Sequence, residues 1–290
     1  MVPRRRINIM YLEHFGFEQL PFHLTPNTSL FLGLAPHYEA IQTVSAAIDL
    51  GEGVIKITGE VGTGKTMVCR MLINHLHDHM ALIYLPNPAL NGRELRQAVA
   101  SELGLSKQDD ADIVDRIQQQ LIVLKQQGKR VVAIVDEAQA LPDDALEVLR
   151  LFGNLETEYT KLLQLVLIGQ PELDERLAQR HLRQFRQRIT FSAYLRPLSL
   201  DETVAYIESR LSKAGGDAQL FNLEQKKVLW RASHGIPRLI NQVCHKALLL
   251  AFTQNRSTIL NHHLFTAIHD TFDTCKPKFK RPFIWGWSQS

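Results

Sequence analysis

Apolar positions along this chain repeat with two periods, and the switches between them mark out its elements. Tyr38, Ile41, Val44, Ala47 and Ile48 return at helical spacing and stop at Gly51, a residue suited to end a helix. Residues 54–58 then read as a short buried strand and 67–76 as a helix. Residues 81–85 form the next strand pattern, closed by Pro86. Helices follow over about 92–102, capped by Asn91 and ended by Gly104, and over about 111–127, with Ile113, Ile117, Leu121 and Leu124 on one face. The unbroken apolar run 131–135 predicts a strand buried on both faces. A helix through 141–152, a strand at 162–168, an arginine-rich helical stretch and a strand at 189–195 complete the alternation. Such alternation predicts a parallel sheet with helices on both faces. From Arg196-Pro197-Leu198 onward the strand period disappears. Four helices are predicted there, the first opened by the capping box Ser199-Leu200-Asp201-Glu202 and the third by the turn His234-Gly235-Ile236-Pro237-Arg238.

Between the first strand and its helix lies Gly59-Glu60-Val61-Gly62-Thr63-Gly64-Lys65-Thr66, followed by Met67. It satisfies the phosphate-binding pattern G-x-x-x-x-G-K-[ST] in the required strand–loop–helix setting. Glycines let successive backbone N–H groups turn inward around phosphates, and the helix that follows points its positive end at them. In this pattern Lys65 reaches the β- and γ-phosphates and the Thr66 hydroxyl binds Mg²⁺. ATP and Mg²⁺ are the expected ligands.

The third strand ends in Asp136-Glu137, where open α/β sheets bind ligands. Asp136 is expected to hold Mg²⁺ through water and Glu137 to polarise the attacking water. A base of that kind argues against small-molecule kinases. Gln170, at the tip of the fourth strand, is placed to sense the γ-phosphate, although a Gln before Pro can also simply cap the turn. The arginines Arg176, Arg180, Arg183, Arg186 and Arg188 admit three readings: a solvated basic face, a nucleic-acid contact, or a finger into a neighbouring subunit's site. Arg188, just before the last strand, is the best-placed finger, with Arg183 and Arg186 in reserve. Arg238 is the candidate γ-phosphate contact from the helical lid, against the plainer reading of a surface arginine.

Composition adds limits. Hydrophobic content of 45% and charged content of 22% are ordinary for a globular chain, and no apolar stretch is long enough to cross a bilayer. The net charge of +3 is carried by the ends, Arg4 to Arg6 and Lys276, Lys278, Lys280 and Arg281; the body between them is mildly acidic. That gives no support to non-specific nucleic-acid binding. Three scattered cysteines (Cys69, Cys244, Cys275) make neither a disulfide framework nor a zinc site, and a reducing cytoplasmic setting is expected. His75 and His79 have zinc-ligand spacing but no acidic third ligand, and read as a surface face. Residues 1–9 are either a basic leader or an over-called start before Met10. The aromatic lead-in 10–34 is expected to pack on the main domain, either bordering the nucleotide base or as core. The tail 276–290 alternates basic and aromatic residues, which suits peripheral membrane contact, a protein groove, or no function at all.

Taken together, the motifs resemble an AAA+ ATPase, and more closely the ExeA/GspA family of bacterial secretion ATPases. The resemblance rests on Phe15-Gly16-Phe17, Pro21-Phe22 and Thr25-Pro26, on the phosphate loop, and on residues 168–173. It extends to Gln187-Arg188-Ile189, Leu195 to Leu198 and residues 235–241. It covers about 10–273. Family members that assemble the type II secretin carry a transmembrane helix and a peptidoglycan-binding domain after the ATPase region. Neither is present here, so the chain looks like a short relative associated with the mannose-sensitive haemagglutinin (MSHA) type IV pilus. The resemblance implies an α/β, three-layer P-loop sandwich over 10–196 with a five-stranded parallel sheet, then an all-helical lid over 197–275. It also implies an ATP-dependent homo-oligomer, a ring, acting with pilus or secretion-assembly proteins at the inner membrane. The rival expectations are a DNA-transposition helper ATPase and a nucleotide-switched scaffold that scarcely hydrolyses.

Overall fold

Strand and helix alternate as the hydrophobic periods require. They run α1 (Ala35–Leu50), β1 (Val54–Gly59), α2 (Lys65–His75), β2 (Met80–Leu85), α3 (Gly92–Glu102), α4 (Ile113–Gln126), β3 (Arg130–Val135), α5 (Asp143–Phe152), β4 (Gln164–Gly169), α6 (Glu172–Leu177), α7 (Arg183–Arg186) and β5 (Ile189–Leu195). The computed structural model describes residues 11–25, 28–76, 79–86, 89–105, 112–158 and 160–277. The basic leader, Pro26 of the aromatic lead-in and the tail beyond 277 lie outside the described residues. The chain divides into two units, one made of 37–61 and 65–195, the other of the residues up to 36, of 62–64 and of those from 196 onward.

In the α/β unit the five strands are all parallel, in the order β2-β3-β4-β1-β5. Position in the sheet explains sequence. Every residue of β4, and Val131 to Val135 of β3, is buried, which is why those strands are continuous runs of Val, Ile and Leu. Full burial of each such side chain contributes about 1.5–3 kcal/mol over exposure. β5 lies at an edge and exposes Thr190, Ser192 and Tyr194. Gln164 opens β4 in a buried position, and its amide donates to the Ile48 and Glu52 carbonyls at 3.0 Å, so its polarity is satisfied. The Asn91–Glu94 capping box starts α3, and the Gly92 N–H donates to the Asp144 carboxylate at 2.7 Å, tying α3 to α5.

The second unit contains α8 (Leu200–Lys213), α9 (Leu223–Ser233), α10 (Pro237–Thr253) and α11 (Asn261–His269). Capping boxes at Ser199–Glu202 and Asn222–Gln225 open the first two. The aromatic lead-in departs from expectation. Tyr11, Phe17 and Phe22 are buried with Phe221, Ile240, Cys244 and Leu248 in the helical core, not on the sheet. Phe22 meets Phe221 edge to face at 6.2 Å, and the Glu18 N–H donates to the Ala214 carbonyl at 2.8 Å. The lead-in rings thus join the apolar core that the four helices build between them.

Candidate nucleotide-binding site

Register brings the motif residues to neighbouring strand tips. Thr58 of β1 pairs with Gly169 of β4, and Val135 of β3 pairs with Leu167. The phosphate loop leaving β1, Gln170 leaving β4, and Asp136-Glu137 leaving β3 therefore emerge from three adjacent strands at the C-terminal edge of the sheet. β4 stands between the other two, which puts Gln170 between the loop and the carboxylates.

In the loop, Gly62 and Gly64 adopt φ values of 83° and 105°, a region that glycine enters without strain. Glu60 and Val61 are exposed, Thr63 is buried, and Thr66 and Met67 are half-buried in the first turn of α2. The Lys65 ammonium is buried and donates to the Gly59 carbonyl at 2.7 Å and the Glu60 carbonyl at 3.0 Å. Burial pushes its pKa down, while Glu137, Asp136, Glu60 and Glu172 pull the other way. Asp136 is also buried. Burial raises its pKa against the backbone N–H of Glu137, which donates to Oδ1 at 2.9 Å, and against the charge of Lys65. A buried ammonium above a glycine loop and a buried carboxylate next to it are each stabilised by a ligand of opposite charge. The donor set fits a polyphosphate at Lys65 and a divalent cation at Thr66 and Asp136. Cys69, one turn into α2, has its thiol pushed up to about 12, chiefly by burial and further by Asp136, and so remains a protonated packing group.

Glu137 sits in the left-handed region (φ 53°, ψ 38°), a conformation costing about 1–2 kcal/mol for a non-glycine residue. Its Oε2 accepts from the Gln170 amide at 3.2 Å and from the Gln139 amide. Gln139 gave no signal in the sequence, because a lone polar residue in a short turn carries no period. Arg176 belongs to the arginine cluster but is not a solvated face. It donates to the carbonyls of Gln139 (2.8 Å) and Leu141 and to the Asp143 carboxylate (2.5 Å). Lys56 and Thr58 of β1 both bind Asp174 of α6, Thr58 at 3.0 Å.

Arg188 lies elsewhere. It precedes Ile189, which pairs with Val54, whereas Gly59 pairs with Leu195. At about 3.3 Å per residue, Arg188 stands about 20 Å from its own phosphate loop, at the opposite edge of the sheet. Arg183 and Arg186 are exposed, and Arg188 is half-buried. Glu156 is held below its ordinary pKa chiefly by Lys161, with a smaller contribution from Arg188. Arg238, second residue of α10, donates its backbone N–H to the Gly62 carbonyl at 3.2 Å. A Cβ at Gly62 would lie 2.6 Å from the Arg238 Cβ, so only glycine permits this approach. Among the described residues no group of three or more His, Cys, Asp or Glu could hold a metal ion by itself. His75 instead bonds the Met71 carbonyl through Nδ1. No helix among them is long and apolar enough to cross a membrane.

A family model described as an AAA domain matches residues 48–177, from the end of α1 through α6. Two solved structures share the fold. The Aeropyrum pernix ORC2 protein in its ADPNP-ADP complexes has a TM-score of 0.62 at 13% identity, over 86% of this chain and 72% of that one. Cdc6p from Pyrobaculum aerophilum has a TM-score of 0.62 at 15% identity, over 88% and 70%. Fold and site together define a P-loop nucleotide-binding unit with an AAA domain over residues 48–177. The General secretion pathway protein A of Aeromonas hydrophila is 41% identical over 264 residues, covering 90% of this chain and 48% of that protein. The chain is similar to this relative over nearly its whole length and spans about half the length of the relative.

Proposed function

We propose that this chain hydrolyses ATP with Mg²⁺ to drive or regulate assembly of a bacterial envelope machine, a secretion-system secretin or a type IV pilus of the MSHA kind. The observation that carries the hydrolytic reading is the convergence of the phosphate loop, Gln170 and Asp136-Glu137 at three adjacent strand tips. The envelope role is supported by the name of the relative, a general secretion pathway protein. Lys65 exchanges the Gly59 and Glu60 carbonyls for phosphate oxygens. Thr66 and Asp136 would hold a Mg²⁺ ion, which would supply charge neutralisation to the transferring phosphoryl group. Glu137 takes a proton from the attacking water, and Gln170 orients on the γ-phosphate. Arg238, next to Gly62, is the arginine from the same chain. Arg188, at the far edge of the sheet, serves another copy's site, which makes the working form a homo-oligomer, a ring in this reading.

ATP turnover measured across a range of protein concentrations, with and without duplex DNA, tests this. Specific activity should climb with protein concentration, levelling out once assembly is complete, and ignore DNA. Activity independent of concentration would refute completion by a neighbour. Activity appearing only with DNA, with a steep salt dependence, would transfer the chain to the transposition reading.

A further inference from the structure

The turn after β3 contains a residue that the reaction above leaves without a task. Gln139 donates through Nε2 to Oε2 of Glu137, and its Oε1 accepts the backbone N–H of Gln170 at 3.0 Å. One amide thus joins the carboxylate at the end of β3 to the tip of β4. Gly169 makes room for it: a Cβ there would lie 3.0 Å from Gln139 Oε1 and 2.9 Å from Leu173 Cδ2. Behind it, Arg176 of α6 fixes the Gln139 carbonyl, and α6 is itself tied to β1 through Asp174.

We propose that Gln139 is the positioning residue that aims Glu137 at the attacking water. Both side-chain bonds to Glu137 fall on Oε2, and among the described residues none falls on Oε1. That leaves one oxygen anchored and the other directed to accept a proton. Gln170 shares the anchoring only while its amide is not needed elsewhere. Once that amide turns to the γ-phosphate, Gln139 is the anchor that stays, because its own oxygen is held by the Gln170 backbone, which need not move. The inference rests on Glu137 being the water-activating base.

Two variants separate aiming from scaffolding. Gln139→Ala removes both contacts. Gln139→Glu keeps the size and an oxygen for the Gln170 N–H, but replaces the amide donor with a second carboxylate. Steady-state kcat and KM for ATP, the affinity for a fluorescent ATP analogue and the thermal midpoint should be measured on the full chain. The expected result is a loss of about 10- to 100-fold in kcat for both variants, typical for removal of an orienting contact. Analogue affinity should stay within about threefold and Gln139→Glu should melt as wild type. Normal turnover in Gln139→Glu would overturn the proposal, whatever Gln139→Ala does, because scaffolding alone survives that change. So would a fall in analogue affinity matching the fall in kcat. Glu137→Gln is the control: normal turnover in it sinks the base assignment itself, whereas its inactivity beside an active Gln139→Glu sinks only the role given to Gln139.

Discussion

Asp136 is a carboxylate that the apo protein holds at a cost. Its pKa is raised chiefly by burial, so folding shifts its equilibrium toward the protonated form relative to the unfolded chain. The sign follows: a folded pKa above the unfolded one means that stability falls as pH rises through the unfolded value and stays lower at neutral pH. Removing the charge should therefore stabilise the metal-free protein while abolishing turnover. Asp136→Asn with chelator present is expected to melt higher than wild type at neutral pH, by on the order of a few degrees, as read by calorimetry. A lower midpoint would show that the carboxylate is already well satisfied without a cation. Glu137 tells the same story in its backbone, since a left-handed glutamate persists only where its surroundings hold it there.

Among the elements, α6 does most to assemble the site, although it has only six residues. Its Asp174 binds β1 and its Arg176 binds the turn after β3, so one short helix ties two strand ends together. Local sequence pattern does not reach these ties. The phosphate loop and Asp136-Glu137 are contiguous, so their positions were readable directly from residue order. The Gln139–Gln170 and Lys56–Asp174 contacts arise only because β4 is inserted between β3 and β1, and no local pattern states that order. The lead-in is a similar case, since its rings advertise burial but not in which core. In the helical unit, Glu202 caps α8 and pairs with Arg196 at 2.8 Å, and these bonds, Arg196 foremost, depress its pKa to about 2. A depressed carboxylate contributes stability above its unfolded value, lost as pH falls through the folded one. Glu202→Gln should cost about 1–2 kcal/mol near neutral pH in urea unfolding, with the deficit shrinking below about pH 4.5 and gone by about pH 2. A deficit constant across that range would assign the contact to packing alone.

For the whole molecule, the parallel sheet decides which residues can cooperate within one chain. Arg188 and the phosphate loop lie at opposite edges, about 20 Å apart by strand rise, farther than any side chain reaches. On the role proposed for Arg188, a site it completes is shared between two copies. An Arg188→Ala protein keeps its own loop and carboxylates, and a Glu137→Gln protein keeps its arginine. Each should be inactive alone, yet an equimolar mixture should recover on the order of a quarter of wild-type turnover if copies associate at random, since only interfaces pairing an intact carboxylate with an intact arginine work. A mixture as inactive as its parts would show that Arg188 serves no neighbour. The sheet's polarity thus has a genetic meaning. With Arg188 in the role proposed for it, defects would be inherited by interfaces rather than by chains, so two damaged alleles could complement each other, and one damaged allele could poison the product of a sound one.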